Sequence, residues 1–430
     1  MRLYAISRDR CRLLSDSLFI NAGYIFGMTM VGALAGFVFW TLAARSYSQA
    51  EVGIASAVIS VIQLLSGIAG LGLGMGLMRF LANAYDAERL LNTAFTLVLI
   101  ASLLVGGLYF AGIQRWSPGL SFMRVKPYLA LGFIGFLMAT SLGTLTKIAC
   151  IGFRKARYAF LQAVAMNGMR VVLILLLVQF GATGIITALA TGVVVADGLG
   201  LLVYLPRAAN GFRVSLRWST QAIAELVPFS GGNYLSDIFL RAPILIAPLL
   251  VLEVIGPEST AHIYVAWMIG SILSSPGTAL ADSAFAEGAH TPEDLSRIFS
   301  KSMKLAVGVT FPLALIVAIA SPWILKIFGN SYSSASSFLL SVLALAVPFA
   351  VANSVYFSVL RIRKRVVELV ILSALVAGIS IGVAILGLKQ IGLVSTGIGW
   401  LLSQIVVTLI LSRHLLQRTI REGVHVPLMD

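Results

Sequence analysis

The 430 residues are 59% hydrophobic and only 11% charged, with a mean hydropathy of +0.96, and a water-soluble chain of this size could not cover so much apolar surface. Apolar runs of about 20 residues cross a bilayer as helices, and about twelve of them with their loops consume the chain. No length is left for a soluble domain, and the net charge of +14 must be read against a membrane before nucleic acid is considered.

In chain order, residues 1–16 form a basic segment with Arg2, Arg8, Arg10 and Arg12, followed by the apolar run Leu18 to Ala44. A cleavable signal has an apolar core of about 7 to 15 residues, so this run is expected to stay as the first spanning helix. Apolar runs bounded by charge, Pro, Gly and Asn then place spans near 17–43, 52–80, 90–112, 127–151, 157–180 and 183–205. A basic connector, 206–221, carries Arg207, Arg213 and Arg217. Six more spans follow near 222–250, 259–286, 302–328, 334–360, 366–388 and 391–413, and 414–430 is a tail. The expected fold is an all-α integral membrane protein of about twelve helices in two six-helix bundles, 17–205 and 222–413. Cys11 and Cys150 have no metal-site or disulfide spacing.

Lys and Arg set the orientation, since positive loops stay cytoplasmic. Of the 31, 22 fall on one side of this segmentation, six on the other, and Lys147, Arg170 and Arg241 fall inside spans. Both termini are therefore expected in the cytoplasm. The basic excess lies on cytoplasmic loops beside anionic lipid, which excludes nucleic acid as a partner. Each half starts in the cytoplasm with an even number of spans, so the halves would form a parallel internal repeat.

The stretch Ala43 to Ala82 resembles the second-helix region of the polysaccharide-export flippases of the multidrug/oligosaccharidyl-lipid/polysaccharide (MOP) superfamily, through Arg45, Glu51, Gly53, Gly70 to Gly72 and Arg79. Further similarity follows in order: VPFSGGNYLSD (Val227 to Asp237), IGPEST (Ile255 to Thr260) and FGNSYSSASSFLLSVLA (Phe328 to Ala344). Where the family often has an acid late in the seventh span, this chain has Asp237 followed by the proline-flanked Arg241. The resemblance implies a MATE-like fold whose two bundles rock around a central cavity. It implies a function in O-antigen, capsule or exopolysaccharide biosynthesis, flipping a polyprenyl-diphosphate-linked oligosaccharide across the bacterial cytoplasmic (inner) membrane. Membrane lipid and a polysaccharide polymerase or export machinery are the candidate partners. No cofactor is implied, and the chain carries no nucleotide-binding motif.

A charge near the bilayer centre costs about 2.5 to 3.5 kcal/mol on insertion scales, so intramembrane charges are the first functional candidates. Arg170 lies on the order of 20 Å along the fifth span. Asp197, Asp237 and Arg241 also fall near mid-membrane, with Lys147 and Asp282 nearer the cytoplasmic side. Ser141, Thr144 and Lys147 share one helix face, as do Asn167 and Arg170. Given the implied cargo, Lys147, Arg170 and Arg241 would replace water around a diphosphate. Alternatively they pair with Asp197, Asp237 and Asp282, with Asp237 and Arg241 the expected pair. Asn233 lies beside the glycines of the seventh span, which Pro228, Gly231, Gly232, Pro243 and Pro248 mark as the least regular element and a cavity border. Arg79 would guard the cytoplasmic mouth or anchor its helix end, and the GLGLGMG run (Gly70 to Gly76) reads as close helix packing. The substrate-contact candidates are thus Arg170, Arg241, Lys147, Asn233, Asp237, Asp197 and Arg79.

Two rivals remain. A drug or organic-cation exporter of the same superfamily should have an acidic cavity, and Arg170 opposes that. A polymerase or glycosyltransferase needs large loops or an acidic metal motif. No connector exceeds about 20 residues, there is no DxD, and the four histidines are scattered; an enzyme is not expected.

Overall fold

The computed structural model describes residues 2–81, 86–125, 127–209, 211–290 and 295–422, with side chains described from Ile20 to Arg413 apart from short stretches. Among these, twelve helices are long and apolar enough to cross a membrane, and no strand occurs. They are α1 (Arg2–Ser46), α2 (Gln49–Ala69), α3 (Ala87–Trp116), α4 (Pro127–Gly152), α5 (Ala156–Leu176), α6 (Gly181–Leu199), α7 (Thr220–Val254), α8 (Pro257–His290), α9 (Leu295–Lys326), α10 (Asn330–Ile362), α11 (Val366–Ile391) and α12 (Val394–Glu422). Each overlaps one expected span. Side chains of the basic segment before Ile20 lie outside the described residues.

Local chemistry explains the helix starts. Ser48 caps α2 with a capping box: its hydroxyl accepts from the Glu51 N–H at 3.3 Å, and Glu51 Oε2 accepts from the Ser48 N–H at 2.9 Å. That gives the Glu51 of the family-like stretch a structural task. The same carboxylate crowds Gly181, whose φ of +56° and lack of a Cβ let α6 begin there. The serine-rich start of α10 bonds back to α9, with Ser333 donating to the Pro322 carbonyl at 2.9 Å and Ser341 to that of Ala318 at 2.7 Å. Such polar contacts hold helices where lipid supplies no hydrophobic drive.

Two elements differ from the expectation. The second span is not one helix. It breaks after Ala69, passes through Leu71 and Gly72 at φ +49° and +69°, and resumes as a short helix, Leu73–Phe80. The glycine run therefore has two uses: Gly72 makes the turn, while Gly74 and Gly76 pack, since a Cβ there would lie 2.6 Å from Ile148 Cδ1 and 2.9 Å from Leu226 Cδ2. Conversely, α7 runs unbroken through its prolines and glycines. In lipid every freed backbone group lacks a water partner, so helix geometry persists where no residue demands positive φ.

The contacts divide the chain into two compact units, Met1–Tyr234 and Leu235–Asp430; the division falls within the α7 sequence, after the 206–221 connector. The connector is bound to the first unit. Asn92 on α3 donates to the Arg213 carbonyl at 3.2 Å and accepts from the Ser215 N–H at 2.8 Å, Thr93 accepts from the Ser219 N–H at 3.1 Å, and Arg89 reaches Gln221 at 3.0 Å.

Candidate functional site

In the first unit the candidate charges gather where α4, α5 and α6 converge. Asp197, only 6% exposed, accepts from Gln162 Nε2 of α5 at 2.6 Å, and Lys147 of α4 is the cation whose charge it feels. Glycines make the room. A Cβ on Gly143 would collide with the Asp197 carboxylate, and one on Gly200 would lie 2.7 Å from the Gln162 Cδ. Gly200 also opens a π-helical turn, Gly200–Tyr204. Its widening accommodates Pro206, which offers no N–H and whose ring would crowd the carbonyl four residues before it. Gln162 is fully buried and was not among the sequence candidates. Nothing in the pattern of a mostly apolar helix distinguishes it from a neutral core residue.

Arg170 lies 14 residues past the start of α5, on the order of 21 Å along its axis. Its guanidinium sits 5.7 Å from the Phe39 ring centroid on α1, in cation–π range. Gly36, one turn before Phe39, leaves the space: a Cβ there would come within 3.5 Å of Arg170 Nη2. Asn167 is buried and donates its amide to the Ala163 carbonyl at 2.6 Å, while its Oδ1 has no partner among the described residues. Of the expected face Ser141–Thr144–Lys147, Ser141 is buried against Ser66 of α2 at 3.0 Å, Lys147 is half-buried and Thr144 is exposed. The face therefore splits between packing and surface.

Asn233 is half-buried, and its Oδ1 has no described partner. Its neighbour Tyr234 does the visible work, donating its hydroxyl to the Ile68 carbonyl at 2.5 Å, at the break in the second span. The Ile68 carbonyl also accepts from the Leu71 N–H at 3.3 Å, so the phenol adds a second donor at this helix end. Arg79, exposed in the last turn of Leu73–Phe80, packs 5.6 Å from the Phe80 ring.

In the second unit the expected pair is replaced. Asp237 pairs with Arg361 of α10 at 2.9 Å, and Asp282 of α8 feels both charges. Arg241 is exposed and forms no ion pair with another described residue. Spacing along one helix put Asp237 and Arg241 on one face, but a guanidinium from another helix reaches the carboxylate first. Arg361, assigned from sequence to a loop, is in the last turn of α10. Asp237 is therefore level with the last turn of α10. Ser236 beside it shares a 2.6 Å hydrogen bond with Ser373 of α11.

Twelve apolar helices in this order, with intramembrane charges and no metal-ligating cluster among the described residues, define a multi-pass membrane protein. Its fold is that of MOP-superfamily transporters. One solved structure that it resembles is a multidrug resistance MATE family transporter in an inward-facing conformation, at 16% identity and a TM-score of 0.68, covering 88% of this chain and 92% of that one. Another is the lipid II flippase MurJ in an inward closed conformation, at 12% identity and a TM-score of 0.73, covering 91% and 86%. A MOP-superfamily transporter from Pyrococcus furiosus, whose binding pocket has reverse polarity, is similar at 15% identity and a TM-score of 0.62, covering 92% and 93%. Among curated proteins none matches significantly. The sequence profile described as "Polysaccharide biosynthesis protein" matches residues 42–337, and the chain belongs to that family.

Proposed function

We propose that the protein flips a polyprenyl-diphosphate-linked oligosaccharide across the bacterial cytoplasmic membrane during surface-polysaccharide assembly, by alternating access and without a chemical step. The observation that carries the reading is Arg170, a permanent cation about 21 Å along a spanning helix and held against Phe39. Membership in the polysaccharide biosynthesis family supports a cargo from that pathway class. A diphosphate loses its hydration in the membrane, and a guanidinium replaces it with up to two parallel N–H bonds. Lys147 lies within the field of the Asp197 carboxylate, so Arg170 comes first among the candidates for the phosphate, with Asn167 and Asn233 as polar contacts. Arg241 and Arg79, both exposed, are candidates for the approach of the headgroup. The basic loops face the cytoplasm in this reading, with both termini on the same side. An inside-negative potential would drive an anion outward with about 2.3 kcal/mol per charge per 100 mV.

The test uses the purified protein in liposomes with two probes, a fluorescent short-chain polyprenyl-diphosphate oligosaccharide and an organic cation. Quencher access follows the first and uptake the second, with and without an imposed potential. Protein-dependent, potential-sensitive movement of the anionic probe is expected. Uptake of the cation with no movement of the anion would replace the flippase by a cation exporter.

A further inference from the structure

The α10–α11 turn holds Lys364 at φ +56°, with the N–H groups of Lys364 and Arg365 bonded back to the Arg361 and Leu360 carbonyls at 3.1 and 2.9 Å. Glycine is the usual occupant of such a left-handed helix end, since a Cβ is strained there. A cation holds that place instead, and the α4–α5 turn repeats the arrangement. Arg154 also has φ +56°, and the N–H groups of Arg154 and Lys155 bond to the Ile151 and Cys150 carbonyls at 2.8 and 2.9 Å. Among the described residues the other non-glycine at positive φ is Leu71, in the second-span break.

Beyond Lys364 a groove of about 570 Å³ runs between α11 and α12, lined at its basic end by Lys364 and Arg365 and along its length by Val367, Ile371, Leu375 and Ile410. Val367 and Ile371, one helical turn apart, are 74% and 61% exposed, so the groove opens on the lipid-facing side. Glu368 is the acid in its lining, and Arg365 pairs with it through Nε at 2.8 Å. Lys364 and Arg363 are exposed beside it, and Arg413 is exposed two residues past Leu411. The end of the groove is thus net positive and the remainder apolar.

We propose that this groove seats one anionic phospholipid from the leaflet on the side of the basic turns. Lys364 and the remaining N–H groups of Arg365 hold its phosphate, and an acyl chain lies along Val367, Ile371 and Leu375. Basic pockets between spanning helices are suited to such headgroups. From Val367 to Leu375 the wall is about 12 Å long, matched to the upper part of an acyl chain and much shorter than a polyprenyl tail. The site depends on the spanning helices and not on which cargo the protein moves.

The test titrates the full-length protein in mild detergent with phosphatidylglycerol, phosphatidylcholine or inorganic phosphate, and reads bound lipid by native mass spectrometry. Phosphatidylglycerol is expected to be retained over phosphatidylcholine. Lys364→Gln, which keeps the backbone demand unchanged, should weaken retention about fivefold, the equivalent of about 1 kcal/mol per basic residue near an anionic surface. Ile371→Trp fills the groove without touching a charge and should abolish retention. Equal retention of phosphatidylcholine, or retention unchanged in both variants, would overturn the site. So would competition by inorganic phosphate alone, or, when a polyprenyl phosphate is added as a competitor, its replacement of phosphatidylglycerol.

Discussion

The two units meet the cost of intramembrane charge in different ways. In the first, Asp197 is buried among three helices, with glycines at 143 and 200 cut away around it, a glutamine bonded to it and the charge of Lys147 acting on it. In the second, Asp237 and Arg361 are 41% and 21% exposed, near the end of α10, with no comparable excavation. A charge far from water needs a complete set of partners and a fitted cavity, whereas one near the interface can share its solvation with water and headgroups. Loss of a partner should therefore be severe in the first unit and mild in the second.

The largest effect is expected from Asp197→Ala, which leaves the buried Gln162 amide without its charged acceptor and removes the carboxylate that acts on Lys147; a hydrogen bond to a charged group is worth about 1.5 to 3 kcal/mol. Melting of the detergent-solubilised protein should fall sharply, and a Lys147→Met change on top should recover part of the loss. Gly143→Ala comes next, at about 1 to 3 kcal/mol by overpacking against the same carboxylate. An unchanged melting temperature for both would mean that the cavity around Asp197 is not fitted. Tyr234→Phe removes the hydroxyl from the Ile68 carbonyl and should cost about 1 kcal/mol, with faster hydrogen exchange confined to the second-span break. In the second unit Arg361→Ala should cost no more than about 1 kcal/mol, given the half-exposed pair, yet more than Arg241→Ala. A larger loss from Arg241→Ala would restore the pairing expected from spacing.

The smallest effect concerns Tyr47, between α1 and α2, which donates to the Ile174 carbonyl at 2.7 Å. Burial, and secondarily Glu51, raise its pKa above the ordinary 10.0. Its contribution is thus intact below about pH 10 and is lost as pH rises through the raised value. Wild type should lose more stability between about pH 9 and pH 11 than Tyr47→Phe; equal losses would show that the phenol is not the group responsible.

Hydropathy and the alternation of basic loops made all twelve spans legible, because both signals arise from the bilayer and act on every helix alike. Sites were less legible because pairing depends on which helices are neighbours. Arg361, four residues from Arg365 in a run of cations, reads as a loop anchor until α10 is seen to bring it to Asp237. Gln162 has no pattern at all. Gly70 to Gly72 read as close packing and the glycines and prolines of α7 as irregularity, yet the helix breaks at the first and runs on through the second. Only φ separates them, since a glycine in a helix and a glycine in a left-handed turn are the same letter. Arg170 is legible as a charge inside a span, because a cation deep in an apolar run stands out without any knowledge of its neighbours.

Arg170 also provides the most direct test of the proposed function. The initial rate of quencher-accessible translocation of the polyprenyl-diphosphate oligosaccharide should be compared between wild type and Arg170→Gln, reconstituted at equal amounts and with melting verified. A charged hydrogen bond is worth about 1.5 to 3 kcal/mol, so the variant should flip the anionic probe about tenfold to a hundredfold more slowly. A rate equal to wild type would contradict a diphosphate-binding role for this cation and leave it as a structural partner of Phe39.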